Sequence, residues 1–160
     1  IESINNVSIL VAKKDHKLEI SVSDDIESWK ALNIYALNAE IGLLTSEIYT
    51  PHELNYHLTE RIDFNKGCYT GQEIIARMHY RAKNFPKLYV AISESTKIVS
   101  NMTVENKNGN KIGKVINTAK EKDKTLMLLS LKETNSSNNE KSLEDHLIIR
   151  EINSNITLLK

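Results

Sequence analysis

The second half of the chain is a succession of short apolar runs, and this feature limits its possible folds most. The runs lie at residues 88–92, 102–105, 111–116, 126–131, 147–150 and 156–159. Asn108-Gly109, between the second and third runs, is the strongest short-range hairpin signal in the sequence. Residues 133–142 are polar and rich in Asn and Ser, which is typical of a loop. Five or six short strands in so short a stretch predict a small antiparallel barrel or sandwich.

The first half of the chain has a mixed pattern. Residues 7–12 and 17–22 predict a half-buried β-hairpin. A helix over residues 25–32 follows, capped by Ser23 or Asp24. Its apolar residues at helical spacing include Trp29, which this local pattern places in the core rather than in a site.

Residues 33–63 show little periodicity and predict loops, with a short helix near 53–58. A loop this long is usually functional or wraps another part of the molecule. We therefore predict an α+β fold, with one domain over residues 1–83 and a β-barrel domain over 84–160. The boundary is placed near residues 82–86.

Composition limits the classes of function. The 160 residues include 21 basic and 21 acidic side chains, so no net charge attracts nucleic acid or a membrane surface. No apolar run reaches the length of a membrane span. The single cysteine excludes an internal disulfide and a four-cysteine metal site, and it fits a reducing compartment. We expect a cytoplasmic protein, or a mitochondrial-matrix one in a eukaryote. Because the chain starts at Ile1, we expect it to be a piece of a longer protein.

The only cysteine stands in the segment Lys66-Gly67-Cys68-Tyr69-Thr70-Gly71-Gln72-Glu73. Thr70 and Glu73 have the spacing of a capping box, which predicts a helix over residues 70–81. Cys68 then lies two residues outside the positive end of the helix with Lys66 nearby, and both features favour a thiolate. A lone cysteine is most often a small core residue. The flanking glycines favour the alternative, an exposed functional thiol.

The predicted helix has a polar face with Glu73, Arg77 and Arg81, and an apolar face with Ile74 and Met78. Its end carries a basic strip, defined as Arg77, His79, Arg81, Lys83 and Lys87 with Tyr80 and Phe85 between them. The strip is either a solvated helix end or a binding site for a carboxylate or RNA phosphate. The other histidines, including His52 and His57, show no metal-ligand spacing.

The segment from Lys66 to Glu73 resembles the signature of the YgfZ-type folate-binding proteins, relatives of the glycine-cleavage T protein (aminomethyltransferase). The likeness continues at Trp29-Lys30-Ala31-Leu32-Asn33-Ile34, residues 51–55, residues 64–66, Ala76-Arg77 and Tyr80-Arg81. It extends over about residues 23–90. The resemblance implies the end of a folate-binding body in the T-protein style, followed by a C-terminal β-barrel.

The resemblance also implies functional residues. Cys68 is then the functional thiol and a possible shared iron–sulfur ligand. Tetrahydrofolate is the implied cofactor, and its implied contacts are Lys66, Cys68, Glu73, Arg77 and Trp29. The family usually has Arg where this chain has Asn33, and Asn cannot replace Arg as a bidentate clamp on an anion.

Two functions follow from the resemblance. The first is a folate-binding accessory protein of iron–sulfur cluster assembly or repair that is linked to tRNA modification. Its partners are then folate, iron–sulfur client or carrier proteins and tRNA, the last through Arg77, Arg81 and Lys83. The alternative is a folate-dependent aminomethyltransferase, for which Asp63 and Glu73 are candidate acid–base groups by proximity. A third hypothesis is direct RNA binding by the basic strip and the barrel.

Overall fold

The computed structural model describes residues 25–81, 85–132 and 147–159. The predicted N-terminal hairpin, the polar loop at 133–142 and Lys83 lie outside these ranges. In the described ranges, neither helix has the length and hydrophobicity needed to cross a bilayer.

Helix α1 spans Ile26–Tyr35, and Asp25 is its N-cap. The Asp25 carboxylate accepts hydrogen bonds from the backbone N–H groups of Glu27 and Ser28, at 3.1 and 3.4 Å. The predicted cap at Ser23 or Asp24 is therefore wrong. Sequence did not separate Asp24 from Asp25, because both carry a carboxylate that can cap a helix.

The exposed side of α1 is the side that the sequence pattern assigned to the core. Trp29 is 45% exposed, and Ile26 and Leu32 are also exposed. The helix instead buries Ile34, with Ala31 packed beside it, against the outside of the barrel. The prediction that Trp29 is a core residue is therefore wrong, because the local spacing did not reveal which apolar stripe meets the sheet.

In the part of the chain that the structure describes, six strands form a closed antiparallel barrel in the order β1-β4-β3-β2-β5-β6. They are β1 (Lys87–Ser93), β2 (Thr103–Glu105), β3 (Lys111–Glu121), β4 (Lys124–Leu131), β5 (Leu147–Ile149) and β6 (Ser154–Leu158). Gly109 has φ +73° in the turn that joins β2 to β3, a region that glycine enters without steric cost. The predicted barrel, the Asn108-Gly109 hairpin and the α+β class are confirmed.

Strand β4 is buried on both faces, because it separates two cores. Met127, Leu129 and Leu131 point into the barrel, whereas Leu126 and Leu128 point outward. This alternation follows from the period of two in a β-strand. The outward residues pack under α1 and the irregular segment of residues 37–56, from which Ala39 and Leu54 are buried.

Residues 51–60 form consecutive turns, and the helix predicted near 53–58 is absent from this described segment. The N–H of Tyr56 donates to the carbonyl of Pro51 at 3.0 Å, which is a wider turn than an α-helix makes. Asn55 has φ +57°, and this left-handed conformation interrupts helical propagation. The segment still covers the outer core, as one of the two interpretations of this long irregular stretch predicted.

Candidate functional site

The cysteine loop, defined as residues 66–71, is irregular backbone that leads into helix α2 (Gln72–Arg81). Cys68 is exposed on this loop. The interpretation of Cys68 as a small core residue is therefore wrong, and the exposed position favoured by its flanking glycines is confirmed. Gly71 has φ +88°, so the last step of the loop uses a backbone conformation that suits glycine.

The start of α2 differs from the capping box that the sequence predicts. The N–H of Tyr69 donates to Oε1 of Gln72 at 3.4 Å, and the N–H of Gln72 donates to the carbonyl of Tyr69 at 3.2 Å. Thr70 and Glu73 are not the reciprocal pair, because the positive φ of Gly71 delays the helix until Gln72. Cys68 therefore lies four residues before the first helical residue.

Lys66 contacts an aromatic ring of the cysteine loop. Its Nζ lies 4.5 Å from the centroid of the Tyr69 ring, within the range of a cation–π interaction. Cys68 lies between these two residues in sequence. The contact therefore joins two residues that flank Cys68 in sequence, and one of them carries a positive charge.

Helix α2 presents a polar outer face, as predicted, but its apolar face is rotated. Glu73 and Arg77 are exposed. Ile74 is 65% exposed, so its predicted burial is wrong, whereas Ile75 and Met78 are half-buried. The sequence did not distinguish Ile74 from Ile75, since adjacent isoleucines allow two directions for the apolar stripe.

The basic strip is only partly formed by described side chains. Arg77 is exposed, and the Tyr80 ring is 75% exposed next to it on α2. Lys87 is exposed at the start of β1. Arg81 ends α2, and its side chain lies outside the described parts, as does Lys83. Phe85 does not join an outer surface, because it is half-buried and packs on His52.

A cluster of rings that the sequence did not predict brings together side chains from residues 51–60, from either side of the cysteine loop, and from the residues before β1. We call it the histidine cluster; it consists of His52, His57, His79, Phe64 and Phe85. The ring centroids of His52 and His57 are 4.7 Å apart, and those of His79 and Phe64 are 4.1 Å apart. Within the described ranges, no three His, Cys, Asp or Glu side chains are arranged to hold a metal ion.

Two histidines of this cluster, His52 and His57, are held in a setting that disfavours charge, whereas the His79 side chain is exposed. His52 is 1% exposed, and burial lowers its pKa, with His57 and His79 lowering it further. Burial also lowers the pKa of His57, with His79 as the second cause. Both groups therefore favour the neutral form more strongly than a solvated histidine does. The only sequence signal for this cluster was the aromatic content of residues 52–85, which does not show which rings contact each other.

Asn33 has a structural role at the end of α1. It is buried, its Nδ2 donates to the carbonyl of Trp29 at 3.0 Å, and its Oδ1 accepts from Asn38 at 2.6 Å. It also lines an open polar cleft of about 190 Å³ with Lys30, Glu40, Ser100, Asn117 and Thr118. Both the N–H and the oxygen of its side-chain amide are thus used in hydrogen bonds within the fold.

The residues predicted to contact a cofactor fall into two groups. Lys66, Cys68, Glu73 and Arg77 lie on the cysteine loop and the first two turns of α2. Trp29 lies on α1, and none of the ring contacts within the described ranges joins it to the cysteine loop. The structure therefore groups the first four residues along one segment without linking Trp29 to them.

The chain matches no family model. It is similar to curated proteins named "tRNA-modifying protein YgfZ". It is 40% identical to that of Blochmanniella pennsylvanica over 90 residues, which are 54% of this chain and 26% of the relative. It is 40% identical to that of Sodalis glossinidius over 75 residues, or 46% and 23%. It is 34% identical to that of Buchnera aphidicola over 86 residues, or 54% and 26%. The chain thus spans about a quarter of the length of these curated relatives.

Proposed function

Because about half of this chain is 34–40% identical to curated YgfZ proteins, we propose that it is the C-terminal region of a YgfZ-type accessory protein linked to tRNA modification. The observation that carries the proposal is Cys68, which is exposed on a loop whose sequence resembles the family signature. An exposed thiol is accessible to a partner protein or a small molecule. The action we propose is help in the assembly or repair of iron–sulfur clusters, in the cytoplasm.

Cys68 is the proposed reactive group. One thiolate cannot hold an iron–sulfur cluster alone, because each iron requires several ligands. Cys68 therefore acts either as one ligand of a transient cluster shared with a client or carrier protein, or as a thiol donor. A site on an exposed loop suits both roles, since the partner supplies the remaining ligands.

Tetrahydrofolate is the proposed small-molecule ligand of the complete protein. Its glutamate carboxylates match the ammonium of Lys66 and the guanidinium of Arg77, which lie on one segment. Asn33 supplies no third clamp, since its amide hydrogen-bonds within the fold. We therefore expect Lys66→Ala to weaken tetrahydrofolate binding to the full-length protein in calorimetric titration, whereas Lys107→Ala on the barrel leaves it unchanged. Equal affinities of the two variants would contradict this contact.

The test of the main proposal is complementation of cells that lack the endogenous protein. Full-length protein with Cys68→Ser is compared with Thr59→Ala, a change at an exposed residue before the loop. We expect Cys68→Ser to reduce modified tRNA nucleosides and iron–sulfur enzyme activities towards the level of the deletion strain. The Thr59→Ala variant should restore both.

Full restoration by Cys68→Ser would overturn the role of the thiol. Release of a one-carbon unit to tetrahydrofolate by the purified wild-type protein would instead support the aminomethyltransferase alternative. The two outcomes are distinguishable. One-carbon transfer requires an amine substrate and proceeds without an iron–sulfur client, whereas the complementation assay depends on such clients.

tRNA contact through the basic strip is tested separately. The exposed Arg77 and the Tyr80 ring provide a phosphate partner and a stacking surface. Changing Arg77 and Arg81 together to Ala should weaken tRNA binding and reduce its salt dependence by about one unit of slope for each lost phosphate contact. The matched control changes Lys107 and Lys111, which are exposed on the barrel. A salt slope that is unchanged in the Arg variant would exclude the strip.

A further inference from the structure

The histidine cluster connects the two ends of the segment that carries Cys68, residues 65–78, to the turn segment of residues 51–60. Phe64 precedes this segment and His79 follows it, and their ring centroids are 4.1 Å apart. The His79 ring also lies 5.8 Å from His52 and 6.3 Å from His57. Helix α1 packs on β3 and β4, whereas α2 makes no comparable contact with another described helix or strand. These rings therefore connect the segment to residues 51–60 and to Phe85.

His52 is the central ring of the cluster. It stacks on His57 and on Phe85, with centroids at 4.7 and 5.3 Å. Neither of its ring nitrogens has a hydrogen-bond partner among the described residues, and Nδ1 of His57 is likewise buried without one. An imidazolium at either position would therefore lack an acceptor for its second proton, and desolvation makes a charge there costly.

Among the described residues, the groups that face His52 offer no compensating negative charge. From the turn segment, the titratable group is His57, while the Glu53 carboxylate accepts from the N–H and hydroxyl of Thr50, both at 2.8 Å. From α2 the titratable group is His79, and Phe64 and Phe85 carry no charge. Protonation of two members would place like charges about 5–6 Å apart.

We propose that the histidine cluster is an acid-sensitive switch that holds the Cys68 segment and α2 in place near neutral pH and releases them in mild acid. The released form accepts protons on histidines that the closed form keeps neutral. The switch controls where the exposed thiol is presented, without changing the barrel.

The direction and size follow from linkage. The pKa values of His52 and His57 lie below 6.5 in the closed form, so stability of the closed form is complete above about pH 6.5 and falls as the pH decreases below it. A histidine that stays neutral when closed raises the opening constant up to about tenfold between about pH 7.5 and 5.5. Two such histidines give up to about a hundredfold.

The single cysteine provides the probe. A rhodamine maleimide attached to Cys68 of the chain reports segment motion by fluorescence anisotropy between about pH 8 and pH 5. We expect the anisotropy to fall with a midpoint below pH 6.5, while the far-ultraviolet circular dichroism of the barrel is retained. Constant anisotropy over this range, with His52 titrating at its ordinary pKa by NMR, would refute the switch.

Variants assign the effect to the cluster. His52→Phe keeps a stacked ring and removes one titrating group, so the acid-induced rise in the opening constant should become smaller by up to about tenfold. Glu53→Gln is the matched control, because it removes the neighbouring carboxylate and keeps an acceptor for Thr50; its transition should match the wild type. If His52→Phe does not fold, His57→Phe takes its place. An unchanged acid transition in the folded Phe variant would overturn the proposal.

Discussion

Gly113 is the residue at which a single methyl group should most disturb the barrel. It lies on β3, paired with Leu131 of β4. A Cβ at this position would overlap the Ser130 carbonyl oxygen and would lie 2.6 Å from Cδ2 of Leu131 and 3.0 Å from its Cα. Two of these atoms are backbone and cannot rotate away, so β3 and β4 must separate locally.

The expected cost of Gly113→Ala is at the upper end of overpacking penalties, about 3 kcal/mol of the free energy of unfolding. For a domain of this size, that corresponds to a decrease in Tm of about 6–12 °C in scanning calorimetry. Because the clash is with β4, the loss should appear in the main cooperative transition.

Two other glycines serve as matched controls. Gly109 has open space around it but φ +73°, so Gly109→Ala should cost about 1 kcal/mol of backbone strain. Gly42 has open space and φ −109°, so Gly42→Ala should change stability by less than about 0.5 kcal/mol. The decisive result is the order of the three losses in the free energy of unfolding, which should be largest at Gly113, smaller at Gly109 and smallest at Gly42. A Gly113→Ala variant with the same Tm as the Gly42→Ala variant would refute the close approach of β3 and β4.

Three further changes test other parts of the fold. Leu128→Ala, in the outer core, should lower the free energy of unfolding by about 2–5 kcal/mol in urea titration, whereas Leu43→Ala at a 94% exposed position should have little effect. Burial, with Glu53 as the second cause, raises the pKa of Tyr49 to about 12. The folded state therefore retains a proton that the unfolded state loses, so the free energy of unfolding should fall as the pH increases above about 10. An absorbance titration should show Tyr49 ionising later than an exposed tyrosine. Asp25→Ala should lower Tm and Asp25→Ser should largely restore it, since Ser also caps a helix; equal losses would contradict the cap.

The sequence predicted those parts of the fold that local chemistry determines. The apolar runs after Pro86 have strand periodicity, and Asn108-Gly109 has the backbone freedom that a hairpin requires, so the barrel followed. Cys68 was predicted to be exposed from its flanking glycines, and the structure places it so. In these cases the signal lies within a few residues.

Predictions failed where tertiary packing chooses between local alternatives. Ile74 and Ile75 both fit an apolar stripe on α2, and the structure buries the second more than the first. Trp29 has helical spacing with Ile26 and Leu32, but the barrel meets the opposite side of α1. The direction of a stripe depends on the partner surface, which a local pattern does not contain. The domain boundary near residues 82–86 and the roles of Lys66, Cys68, Glu73 and Arg77 stay predictions.

The histidine cluster shows why contacts between irregular segments escape sequence patterns. His52 and His57 are five residues apart, which is not a helical spacing, and they meet because wide turns bend residues 51–61. The same segment contributes Leu54 to the outer core on β4, so these turns are anchored to the barrel by burial. His79 then packs on rings whose position the barrel already determines. Strong packing thus ends at the turn segment, and the ring contacts of the histidine cluster connect that segment to α2, so a change in protonation acts on this connection.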